Sequence, residues 1–311
     1  MLPPRAVALQ VAVVLALGSH GVASLAAPVL VAVIPAEDAR RSVVIGTNGE
    51  VYEGDGAGAW VRTRLVTTAG RITAAGRGGD AGDSIVAVGD GVIYRLAANG
   101  WSAVRIANKL HAVMSSGPRA VAAAGTVIVA LGGAPRPDAP PLATAGSTVL
   151  ALGSGKRVVF ATDRGVFRID GKRVVAIKAA PRRVNAFAGD RWGLSDHGAV
   201  DLRSGRVTAW PADLEISAAA QAPDEHLIAA GTATGGSVVV LELGGVKIVR
   251  GTVDGVPAGT PAAVAADAKA RVVVVFRDGR IALREHDTWT VSTVRDAPPS
   301  PHPGSPPATS P

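Results

Sequence analysis

A single phrase, repeated along the chain, limits the fold more than any other feature. It reads Val-Val-Ile-Gly-Thr-Asn-Gly-Glu-Val-Tyr from Val43, Ile-Val-Ala-Val-Gly-Asp-Gly-Val-Ile-Tyr from Ile85, and Val-Val-Phe-Ala-Thr-Asp-Arg-Gly-Val-Phe from Val158. Looser copies start at Trp192 and Val273. Asn-Gly and Asp-Gly supply the positive φ that a tight hairpin needs, so each phrase predicts an antiparallel strand pair. Three copies also carry a tryptophan at near-constant distance: Gly49 to Trp60, Gly91 to Trp101 and Gly279 to Trp289 span 11, 10 and 10 residues. One module has been written several times.

A strand-like stretch flanks each hairpin on either side, which makes a four-stranded unit. Units then start near Val29, Arg71, Leu110, Ser147, Val184, Glu215 and Pro261, in steps of 42, 39, 37, 37, 31 and 46 residues. That period belongs to propeller blades. The expected fold is all-β, a seven-bladed β-propeller over residues 29–295, with six or eight blades as the neighbouring counts. A two-domain β-sandwich is the alternative, since it also gives short strands with frequent turns. The weakest stretches are the prolines at 135, 137, 140 and 141, which interrupt a fourth strand, and the alanines of 120–124, which are poor strand formers.

Composition removes several function classes. None of the 311 residues is cysteine, which excludes disulfide scaffolding, thiol nucleophiles and thiolate-bound zinc or iron–sulfur clusters. The 48% hydrophobic content is too high for a disordered chain. Net charge is +7, but only 4% of residues are aromatic, so a nucleic acid would find few side chains for its bases to stack on. Nucleic acid is not the expected partner.

The two ends read differently from the middle. Residues 1–26 resemble a signal peptide, with Arg5 ahead of the apolar run Ala6 to Leu17, then Gly18 and Gly21, and small residues at Ser24 and Ala26 for cleavage. Export to the periplasm or exterior is therefore expected. An uncleaved leader would instead anchor the chain, because Pro28 to Ile34 extends the apolar stretch. At the other end, residues 297–311 hold seven prolines and read as a disordered, solvated tail.

The runs Thr-Asp-Arg-Gly-Val-Phe-Arg-Ile from Thr162 and Gly-Asp-Gly-Val-Ile-Tyr-Arg-Leu from Gly89 resemble the propeller repeats in sensor regions of two-component regulators. More distantly they resemble the photosystem assembly factor propellers. The resemblance spans about five of the units and implies a binding or assembly role. Tryptophan-aspartate, kelch and complete Asp-box signatures are absent, and no family ligand residue transfers to this chain.

In a propeller, the turns between second and third strands and the connections from fourth strand to next blade open on one face. That face would collect Asn48, Asp90, Asp163, Arg164, Asp196, His197, Arg277 and Asp278 from the turns, with Lys109, Arg182 and Arg183 from the connections. Arg164, Arg182 and Arg183 are the densest positive charge, and guanidinium groups grip carboxylate or phosphate in a two-pronged way. Arginine outnumbers lysine 26 to 6 throughout, however, so part of this is background. An aspartate beside a turn glycine ordinarily bonds its own turn backbone, which is the plain reading of Asp163 and Asp196. Asp196 could also orient His197. No calcium loop, zinc motif or nucleophile elbow occurs, so neither metal nor cofactor is expected.

The expected function is binding, without catalysis, of a protein or other anionic partner by the loop-rich face, through Arg164, Arg182, Arg183, His197, Asp163 and Asp196. The alternatives are a lyase or hydrolase working in the central funnel and, with a retained leader, a membrane-tethered sensor.

Overall fold

In the computed structural model the described residues are 29–34, 42–54, 60–64, 71–78, 84–89, 92–97, 100–105, 113–114, 121–130, 141–181, 183–244, 247–253, 255–256, 258–267, 270–286 and 288–295. All regular structure among them is β. No helix among them is long and apolar enough to cross a membrane. The expected leader and the proline-rich tail lie outside the described residues.

Strands come in consecutive antiparallel quartets. The first is β1 (Leu30–Ile34), β2 (Ser42–Gly46), β3 (Val51–Gly54) and β4 (Trp60–Arg64). It is followed by β5 (Ala74–Gly78) to β8 (Gly100–Arg105), and by β9 (Val113–Met114), β10 (Val121–Ala124), β11 (Val127–Ala130) and β12 (Ala143–Thr144). Next come β13 (Ala151–Ser154), β14 (Val158–Thr162), β15 (Gly165–Asp170) and β16 (Arg173–Ala176), then β17 (Ala186–Ala188) to β20 (Val207–Ala209). The chain continues with β21 (Leu214–Gln221), β22 (Leu227–Ala233), β23 (Val238–Gly244) and β24 (Lys247–Thr252). It closes with β25 (Pro261–Ala266), β26 (Val272–Phe276), β27 (Arg280–Glu285) and β28 (Thr288–Arg295). The unit starts expected from sequence fall within four residues of the start of the first strand in each quartet.

Pairing departs from the expectation in one respect. Five quartets form separate four-stranded sheets, whereas the first and last are fused into one eight-stranded sheet. The fusion is a short parallel ladder between outer strands, β28 to β4, with Val294 opposite Trp60 and Arg295 opposite Val61. Seven separate sheets are therefore not what the pairing gives.

The turns form as their residues dictate. Gly49, Gly165 and Gly279 have φ of 84°, 134° and 86°, the left-handed side of the map that glycine enters without penalty. First strands lie against first strands: β1 against β5 and β25, β13 against β17, and β21 against β25. Apolar clusters fill the gaps between neighbouring sheets. One joins Ala186, Trp192 and Leu194 to Ile216, Ala229 and Leu241, and another joins Leu30, Tyr52 and Trp60 to Val273, Val275 and Ile281. Each sheet is covered on both faces, which explains the nearly unbroken apolar runs of strands such as Val272–Phe276. This radial stacking around the first strands is a β-propeller and excludes the two-domain sandwich.

The weak stretches behave according to their chemistry. Strands β9 and β12 have only two residues each, β12 directly after the proline cluster. The alanines of β10 do form a strand, with Ala122 and Ala123 fully buried and paired with Val129 and Ile128 of β11.

Candidate functional site

Within a quartet, the turn between second and third strands and the connection entering the first strand lie on the same face, because successive strands reverse direction. On this face are the β14–β15 turn with Asp163 and Arg164, the β18–β19 turn with Asp196 and His197, and the β16–β17 connection with Arg183. All five side chains are exposed. Arg182 lies outside the described residues.

The two aspartates are engaged differently from the expectation. Ser147 Oγ donates to Asp163 Oδ1 at 2.6 Å, and Asn185 Nδ2 donates to Asp196 Oδ1 at 2.8 Å. Each turn carboxylate thus ties down the connection entering its own sheet. The turn backbone is bonded instead by Thr162, whose Oγ1 accepts from the Arg164 N–H at 3.1 Å. Asp278 does follow the expected pattern, accepting from the Arg280 N–H at 3.2 Å; Asp90 lies outside the described residues. His197 contributes its carbonyl, which accepts from the Trp210 N–H at 3.0 Å. No hydrogen bond joins its imidazole to Asp196 or Asp163 among the described residues.

The cations are the groups left over. Arg164, Arg183, Lys178 and Arg277 are exposed, and none forms an ion pair with another described residue. Leu150, at the start of β13 on the same face, is 57% exposed. Among the described residues no group of three or more His, Asp or Glu side chains is arranged to hold a metal.

Sequence reading missed a charged network on the opposite face. There the turns between first and second strands bring Lys156, Arg191 and Glu225 from three successive sheets together with Asp201 and Arg203. Lys156 Nζ donates to Glu225 Oε1 at 2.8 Å, and Arg203 donates to both Glu225 oxygens at 2.6 and 3.0 Å. Arg191 bonds Asp201 at 3.0 Å and lies over the Trp192 ring, 5.2 Å from its centroid. Trp192 Nε1 in turn donates to the Glu225 carbonyl at 2.9 Å. Glu225 takes φ = 70°, unusual for a residue with a side chain, and is held there by these bonds. The partners lie up to 69 residues apart, and only ring geometry brings them together.

Hydrogen bonds from Arg203 and then Lys156 hold the Glu225 carboxyl down at about 2. A carboxylate lowered by folding contributes stability that is complete above its unfolded range and is lost as pH falls toward its folded value. The melting temperature should therefore fall between about pH 4.5 and pH 2. Glu225→Gln should lower it near neutrality and flatten its slope in that window, as read by thermal unfolding across pH. An unchanged slope would show that the network contributes nothing measurable.

No protein-family model matches this chain, and no curated protein matches it. Solved structures do. YCF48 from Cyanidioschyzon merolae superposes with a TM-score of 0.59 at 16% identity, covering 85% of this chain and 97% of that one. YCF48 bound to D1 peptide gives 0.56 at 15% identity, over 87% of this chain and 95% of that one. A streptogramin B lyase gives 0.59 at 13% identity, over 86% of this chain and 95% of that one. Identities this low speak of architecture alone, and the architecture they share with this chain is the β-propeller.

Proposed function

We propose that this chain is an exported seven-bladed propeller that binds an acidic segment of a partner protein through the face carrying Arg164 and Arg183. The observation that carries the proposal is the set of exposed guanidinium and ammonium groups on that face that have no carboxylate partner among the described residues. Exposed cations left unpaired stay available to a partner, whereas paired ones would have to give up an existing bond. Binding by a propeller of this shape has a parallel in YCF48, which is similar in fold and has been solved with D1 peptide. Asp163, Asp196 and His197 serve in this reading as the frame that fixes the turns, and Arg182 belongs to the same connection as Arg183. A non-protein polyanion would meet the same cations.

The count of seven treats the eight-stranded sheet as two blades whose outer strands touch. Supporting this, β25 to β28 and β1 to β4 each repeat the order of the separate sheets. Cleavage after Ala26 is favoured by the position of Leu30, fully buried in β1 and so committed to the ring. The exported protein should begin at Ala27 on N-terminal sequencing; a retained Met1 would favour a tethered sensor.

For the binding reading, Arg164→Ala with Arg183→Ala should weaken association with a glutamate-rich peptide about tenfold or more at low salt. It should also reduce the salt dependence of that association. Unchanged affinity and unchanged salt response would remove the proposal.

A further inference from the structure

On the opposite face, a cleft of about 190 Å³ opens between the sheets β21–β24 and β25–β28. Its floor is apolar, with Ala222, Ile228, Ala266 and Val272, and its rim carries Asp224, His226, Glu242, Asp267 and Arg284. The rim is organised around one imidazole. His226 Nδ1 is bonded to Asp224 Oδ1. His226 Nε2 faces Glu242 Oε2 across 3.7 Å. Glu242 Oε1 is engaged by Arg284, whose guanidinium also lies over the Trp289 ring, 5.7 Å from its centroid. Asp267 is bonded by Arg271 at 2.7 Å. Both guanidinium groups near the cleft are thus paired with carboxylates.

In a neutral imidazole, the Nδ1 hydrogen given to Asp224 leaves Nε2 as a lone-pair acceptor. It then faces a carboxylate oxygen, also an acceptor, at a separation too wide for direct bonding and suited to a donor between them. A charged N–H donor bonds at about 2.8 Å, so one ammonium nitrogen can reach both atoms. The apolar floor beneath offers burial to an alkyl chain. Arg284 cannot be that donor while it is bonded to the other oxygen of Glu242.

We propose that this cleft binds an alkylammonium group, donated to His226 Nε2 and Glu242 Oε2 with its carbon chain along Ile228 and Val272. The site is separate from the arginine-bearing face and does not depend on the binding reading given above. A free small amine and a lysine side chain of a partner protein share this chemistry.

The test is a titration of the folded protein at pH 8 with pentane-1,5-diamine, followed by the side-chain nitrogen resonances of His226. The expected result is a saturable shift of Nε2 that pentan-1-ol does not produce. Glu242→Gln should weaken binding about tenfold or more, and His226→Phe should abolish it. If a terminally blocked lysine binds as well as the diamine, the natural ligand is a protein lysine; if only the diamine binds, it is a small amine. No saturable shift, an equal shift with pentan-1-ol, or an Nε2 already protonated in the amine-free protein at pH 8 would overturn the proposal. Should Glu242→Gln fail to fold, the comparison of diamine with alcohol on the unaltered protein still decides.

Discussion

Trp60→Ala is expected to cost about 3–5 kcal/mol of folding stability, measured by denaturant unfolding. Trp60 sits on β4 at 1% exposure, among Leu30, Val44, Tyr52, Val273, Val275, Ile281 and Leu283. Those residues come from both ends of the chain, so the indole fills the seam where first and last quartets meet. Space for it is provided by Gly54, where a Cβ would stand 2.6 Å from the ring. Val294, opposite Trp60 in the β28–β4 ladder, packs against the same cluster. Removing the ring would leave a cavity in the contact that closes the circle. Trp101→Ala provides the contrast: this indole is only half-buried, and its Nε1 donates to the Gly49 carbonyl at 2.8 Å. Its loss should cost clearly less. A cost below about 1 kcal/mol for Trp60→Ala would mean that the seam does not hold the ends together.

The second large effect comes from adding one carbon. At Gly153 in β13, a Cβ would lie 2.2 Å from the Gly189 carbonyl oxygen and 2.5 Å from Phe187 Cβ. Neither neighbour can withdraw. Phe187 is packed at 2% exposure with Val159, Val184 and Val200. Gly189 holds φ = 65°, and its own Cβ position is occupied by the Gln221 side chain. Gly153→Ala must therefore push β13 away from β17, at a cost of about 3 kcal/mol. Gly235→Ala is the matched control, since its Cβ would meet nothing within 4 Å and its φ is ordinary. That variant should be neutral within about 0.5 kcal/mol in the same unfolding assay. Equal costs for the two would contradict the close approach of first strands.

These two positions also show what could be read from the chain beforehand. Hairpins were legible because Asn-Gly and Asp-Gly turns leave a local signature, and the spacing of Gly49, Gly91 and Gly279 from their tryptophans marked the repeat. The tightness of the centre was not. Nothing local marks Gly153 in β13 as the point where one first strand meets its neighbour too closely for a single added carbon. Pairing of β4 with β28 was likewise hidden, since nothing local says that an outer strand at residue 60 will meet one at residue 294.

The site divides along the same line. Exposure of Arg164, Arg183 and His197 followed from their places in turns and connections. That Asp163 and Asp196 would bond Ser147 and Asn185 did not follow, because those partners belong to the incoming connection. The Lys156, Arg203 and Glu225 network was invisible for a stronger reason: its members come from different sheets and meet only once the ring has formed, as do the two walls of the His226 cleft.

The central claim, that the turn-and-connection face is where a partner binds, is tested most directly by amide hydrogen exchange with and without a bound glutamate-rich peptide. Slowed exchange confined to residues 146–150, 163–165, 178–185 and 195–198 is the predicted result. Slowed exchange at 155–157, 203–206 and 224–226, with the first set unaffected, would contradict it and move the binding surface to the other side of the ring.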